Sequence, residues 1–183
     1  MIKLKKVASY FRNVERLIVK KDGQDNYWVT DTYLLLVLNE EEFKQLKEKY
    51  NSYKNNINIP NNKDNFTIVD KQKLENKSFV LNFRPNRRKE KVAVATNLIF
   101  KSKDKKIRLI SYEDEVIAVN NKYYKFIEDI EGLSFYSESK FNGLNCYNDK
   151  EQLKAIIMPI RLNNLNNDKE RLINDLKKFE RLI

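Results

Sequence analysis

Ten basic residues gather in one stretch: Arg84, Arg87, Arg88, Lys89, Lys91, Lys101, Lys103, Lys105, Lys106 and Arg108. Only Glu90 and Asp104 oppose them, so residues 84–108 hold +8 of the net +10 carried by the 183-residue chain. Clustered Lys and Arg displace the counterions condensed on a nucleic acid and bind it with salt-dependent affinity. Arg87, Arg88 and Arg84 weigh most, because the chain has 9 Arg against 27 Lys and a guanidinium grips phosphate in a bidentate fork. The 27 Lys and 24 Asn also reflect AT-rich codon usage, so clustering means more than surplus. A solvated hairpin with Lys along a sheet edge is the competing reading of the same residues. DNA or RNA is the partner this stretch predicts.

Other chemistry is excluded or unsupported. The chain has no His, which removes His-based triads, His general bases and His-liganded metals. A single Cys, Cys146, permits neither an internal disulfide nor a cysteine zinc site. Three Gly cannot build a glycine-rich phosphate loop. Acid-x-Lys pairs such as Glu75-Lys77 and Glu138-Lys140 are no more frequent than this Lys content gives by chance. Glu113-Asp114-Glu115 suits a turn, since strand neighbours point to opposite faces. The expectation is a non-enzymatic protein with no cofactor and no metal. With no long apolar segment and no apolar leader, it is expected to be soluble, cytoplasmic and without a membrane partner.

The elements that must position these residues are legible from periodicity. Leu4, Val7, Ala8, Phe11, Val14 and Ile18 recur at helical spacing and predict an amphipathic helix over 3–18. Residues 27–30 and 33–38 read as strands. Asn39 followed by Glu42 is a capping-box pattern opening a helix at 40–50. Residues 51–65 read as a loop. Strands are predicted at 66–69, 78–83, 92–100, 107–112, 116–119, 133–137, 144–147 and 155–160, with a helix at 122–130. Leu172, Ile173, Leu176 and Phe179 stripe a final helix over 168–181. The class is α+β, with antiparallel sheets backed by helices. Residues 1–162 form one domain with a basic hairpin segment at 84–108, and 163–183 a helical extension.

One stretch carries a more specific signal. Asn121-Lys122-Tyr123-Tyr124-Lys125-Phe126-Ile127 precedes three short strands, and the last closes on Met158-Pro159-Ile160-Arg161-Leu162. This resembles the final unit of the bacterial DNA sliding clamp, the beta subunit of the replicative polymerase. Trp28-Val29-Thr30-Asp31 falls where that family has a strand ending in Thr-Asp. The likeness covers roughly residues 1–40 and 118–162. It implies repeated β-α-β-β-β units. It also implies helices that turn cations toward DNA phosphates: Lys5, Lys6, Arg12 and Arg16 on the first, Lys122 and Lys125 on the second. The terminal pentapeptide implies a partner-peptide site at Met158, Pro159 and Arg161. One such domain per chain would encircle DNA only as an oligomer.

Together these readings predict a clamp-like binding module acting on nucleic acid or on a nucleic-acid enzyme. The alternative is a phage-encoded inhibitor of a host defence nuclease, of the anti-CRISPR type, that blocks nucleic-acid recognition. Its partner would be an RNA-guided nuclease or a polymerase. Small Lys- and Asn-rich chains of this kind are associated with phages and mobile elements.

Overall fold

The capping box forms as its spacing predicts. Asn39 Oδ1 accepts from the Glu42 N–H at 2.8 Å, and Glu42 Oε2 accepts from the Asn39 N–H at 3.0 Å. The computed structural model describes residues 1–14, 16–51, 66–70, 85–102 and 105–160, with backbone alone at 66–70 and 102. The predicted strand at 78–83, the loop at 51–65 beyond Asn51 and the helix at 168–181 lie outside these residues.

The described elements run α1 (Leu4–Phe11), β1 (Arg16–Lys21), β2 (Tyr27–Thr30), β3 (Leu34–Leu38) and α2 (Glu40–Asn51). There follow β4 (Phe66–Asp70), β5 (Lys91–Ser102), β6 (Lys105–Tyr112), β7 (Glu115–Asn120) and α3 (Asn121–Ile127). Strands β8 (Ser134–Ser137), β9 (Leu144–Tyr147) and β10 (Leu153–Ile157) complete the order. The class is α+β. All ten strands join one antiparallel sheet, in the order β4-β1-β2-β3-β10-β9-β8-β5-β6-β7.

The predicted first helix is half right. It ends at Phe11, and Arg16 begins a strand. The last turn tightens as Asn13 N–H donates to Tyr10 O and Val14 N–H to Phe11 O. Leu17, Ile18 and Val19 are consecutive and all fully buried. A strand between β4 and β2 buries both its faces; a helix would have turned one of the three outward. Helix α3 likewise stops at Ile127, three residues short of the predicted end.

Helix α1 buries Leu4, Val7, Ala8 and Phe11, and α3 buries Tyr123, Phe126 and Ile127. They join Phe43, Leu46 and Tyr50 of α2 and the inward residues of the sheet in one core. Helices α1 and α3 run antiparallel side by side. Lys3 N–H donates to Phe126 O at 2.9 Å at one end, and the Tyr10 and Tyr123 hydroxyls meet at 2.9 Å at the other. Each is followed by a three-stranded meander, and the meanders meet where β3 pairs with β10 through Leu35 and Ile156. About that pair the two meanders mirror each other, β1-β2-β3 against β8-β9-β10. The inward residues Tyr27 and Val29 of β2 have Leu144 and Cys146 of β9 as counterparts.

Candidate nucleic-acid interface

The basic stretch is split by the length of β5. Arg87, Arg88 and Lys89 sit in the turn before that strand and Lys91 at its start; all are exposed. Lys101 lies near the other end, and Lys105 and Lys106 open β6. At about 3.3 Å per residue the two groups stand roughly 30–35 Å apart. They form two patches on one hairpin, not a single patch. Arg84 and Lys103 lie outside the described residues.

At the far end of the hairpin, Lys101 is the direct cross-strand partner of Lys106. Like charges placed opposite one another oppose pairing. Among the described residues neither of these lysines, nor Lys105, makes an ion pair. This end also lies close to α3, because β7 runs directly into that helix and Ile107 of β6 pairs with Asn120. Asn120 caps α3 by accepting from the Lys122 N–H at 3.0 Å. Lys105 is near enough to Lys122 to lower its pKa, adding to the larger effect of burial, while Asp31 acts the other way. Lys105 of the basic stretch and Lys122 of α3 are thus neighbours.

Beside them lies a polar knot. The Tyr10 hydroxyl donates to Asp31 Oδ2 and meets the Tyr123 hydroxyl. The Lys122 ammonium lies 4.0 Å from the centre of the Tyr10 ring and 5.1 Å from that of Tyr123. Buried Asp31 is held by its own turn: Oδ1 accepts from the Leu34 N–H at 2.7 Å and the Tyr33 N–H at 3.0 Å. Thr32 takes φ +80 there, and its N–H donates to Thr30 Oγ1. Burial, reinforced by Asp31 and Tyr123, drives the Tyr10 pKa far above the ordinary phenol value. Tyr123 is pushed up to about 12, chiefly by burial. The tyrosines therefore stay protonated donors, and Asp31 is spent on local hydrogen bonds.

Arg108 corrects the predicted set. It is 7% exposed and faces inward. Its Nε donates to Asn121 Oδ1 at 2.9 Å, its Nη1 donates to Thr96 O, and its guanidinium carbon lies 4.2 Å from the Tyr124 ring centre. The register shift of β5 between Ala95 and Ile99 frees the Thr96 carbonyl for this bond. Arg108 ties the hairpin to α3 and is no surface cation.

The helix cations divide similarly. Lys5 and Lys6 are exposed on α1, and Lys122 and Lys125 on α3. Lys125 pairs with Glu128 at 2.6 Å, as does Lys3 from the neighbouring helix at 2.5 Å. Arg12 is partly buried at the end of α1, near enough to Tyr50 to oppose the rise that burial causes in that hydroxyl's pKa. Arg16 is partly buried on β1 instead of lying on the helix face.

Met158 is 39% exposed, and its N–H donates to the carbonyl of Tyr33, itself 62% exposed. Pro159 is partly buried, and the Ile160 N–H donates to Ala118 O of β7 at 2.7 Å. Arg161 lies outside the described residues. Among the described residues no group of His, Cys, Asp and Glu could hold a metal ion, and no helix is long and apolar enough to cross a membrane.

The sequence reading missed the Arg87 cluster on the opposite face of the sheet. The Arg87 guanidinium lies over the Tyr136 ring and close to that of Tyr147, and the Glu90 carboxylate accepts from Tyr147 and Asn145. The available signal was one acid, Glu90, set among basic neighbours. Searches of protein-family models, of curated proteins and of solved structures return no match to this chain.

Proposed function

We propose that the chain is a non-enzymatic nucleic-acid-binding module with a sliding-clamp-like fold. The fold reading is supported by a helix and a three-stranded meander occurring twice, antiparallel neighbouring helices, and the mirrored order of the two meanders about β3 and β10. The observation that carries the binding reading is the group of exposed lysines at the far end of the β5–β6 hairpin, Lys101, Lys105 and Lys106, with Lys105 close to Lys122 of α3. Among the described residues Lys101, Lys105, Lys106 and Lys122 make no ion pair, so a phosphate backbone is a complementary partner.

Charge reversal tests this directly. Lys105→Glu and Lys106→Glu together change two exposed side chains of the hairpin. Binding to labelled duplex DNA and to RNA at low salt is expected to fall at least about tenfold, with an unchanged thermal midpoint. Undiminished binding would contradict the assignment of this surface.

A second reading rests on Met158 and Tyr33. These exposed apolar side chains belong to adjoining segments and give a protein partner something to bury. A polymerase or an RNA-guided nuclease docked there would make the chain an accessory or an inhibitor. Met158→Asp would then break that complex while leaving nucleic-acid binding intact, as pull-down and gel shift would show.

A further inference from the structure

We propose that the outer face of the sheet around Arg87 is a stacking platform for the unpaired bases of a single-stranded nucleic acid. The inference rests on the nucleic-acid reading above and adds to it the form of nucleic acid and a second contact surface.

The Arg87 guanidinium carbon lies 3.5 Å from the centre of the Tyr136 ring and 4.6 Å from that of Tyr147. The first distance is that of one stacked layer. Glu90 fixes the arrangement from beneath. Its side chain is fully buried, pairs with Arg87 Nη1 at 3.4 Å and accepts from the Tyr147 hydroxyl at 3.0 Å and from Asn145 Nδ2. Yet 40% of the Arg87 side chain remains exposed. A guanidinium held over a ring, paired with a buried carboxylate and still 40% exposed is already ordered to receive a flat partner.

The surroundings suit the same partner. Val92 is the cross-strand partner of Tyr136 and therefore shares its face, and Val94 follows two residues along the same strand. Both are 60% exposed, so apolar surface extends the platform into solvent. Arg88 and Lys89 stand exposed in the same turn as Arg87, ready for the phosphates between bases. Glu90 and Tyr147 alone would suffice to latch the turn to the sheet; that role leaves the open guanidinium and the two exposed valines unused. A duplex hides the faces of its bases, whereas an unpaired strand offers them to planar Arg and aromatic groups regardless of sequence.

The test uses two probes, an oligothymidylate carrying one 2-aminopurine and a duplex of equal length, with the full chain. The unmodified protein should bind the single strand and change the 2-aminopurine fluorescence on stacking. Arg87→Lys keeps the charge but loses the plane; it should weaken single-strand binding about tenfold and abolish the fluorescence change, with duplex affinity held within about twofold. Val92→Glu leaves the Glu90 contacts in place and should produce the same selective loss. Unchanged single-strand binding in both variants, or equal losses for both probes, overturns the platform while the nucleic-acid reading stands. Binding of neither probe by the unmodified chain overturns both.

Discussion

The ammonium of Lys122 lies 4.0 Å from the centre of the Tyr10 ring, whose hydroxyl donates to the buried carboxylate of Asp31. This contact joins α1, α3 and the turn before β3. It also sets the electrostatics of the proposed interface. The two rings support the ammonium, and the tyrosine hydroxyl, in place of Lys122, engages the carboxylate.

Tyr10→Phe removes the donor to Asp31 Oδ2 and keeps the ring. A buried carboxylate oxygen that loses its partner costs about 1–3 kcal/mol, read as a lower urea midpoint at unchanged m-value. Tyr123→Phe should cost less, because Tyr10 retains its bond to Asp31. Equal stability of Tyr10→Phe and the parent chain would show that this bond contributes nothing.

Alkaline pH should uncouple the knot. Burial raises the Tyr123 pKa to about 12 in the folded chain and the Tyr10 pKa further still, against about 10 when unfolded. The folded state then holds more protons than the unfolded state above pH about 10, so stability is fully present below that pH and is lost as pH rises toward the folded values. Thermal midpoints across this range, with tyrosinate absorbance recorded in parallel, should fall together with late-titrating tyrosines. A flat midpoint across the window would contradict the burial of these hydroxyls.

Arg108→Ala should destabilise without reporting on the interface. It orphans Asn121 Oδ1 and the Thr96 carbonyl, at about 1–3 kcal/mol for each group left buried and unpaired. The folded fraction should retain the nucleic-acid affinity and salt dependence of the parent chain. A loss of affinity at unchanged stability would return Arg108 to the binding set.

Much of the α+β fold was legible because it rests on local signals. The Asn39–Glu42 cap, the stripe of Leu4, Val7, Ala8 and Phe11, and the Val-, Ile- and Phe-rich runs spaced by polar turns each announce an element within a few residues. The overlong first helix shows where such signals compete. Val14 and Ile18 continue the helical spacing, while Leu17, Ile18 and Val19 also make a buried strand, and pairing with β2 and β4 decides between them. Of the candidate interface, the charge cluster and its division into two basic ends by the apolar run Val92 to Phe100 were visible, but what each end packs beside was not. Lys105 comes near Lys122 only through the pairing of β6 with β7, and Arg108 finds the Thr96 carbonyl only where β5 slips register between Ala95 and Ile99. Both are consequences of strand register, which residue counts do not contain.

The central claim is that clustered lysines bind a phosphate backbone, and the salt dependence of binding to duplex DNA measures it most directly. Contact with 4–6 phosphates predicts log Kobs falling with log salt at a slope of about −3.5 to −5.5. Reversal of Lys105 and Lys106 should make that slope shallower by about 2. Absence of binding at low salt, or an affinity indifferent to salt, would contradict it.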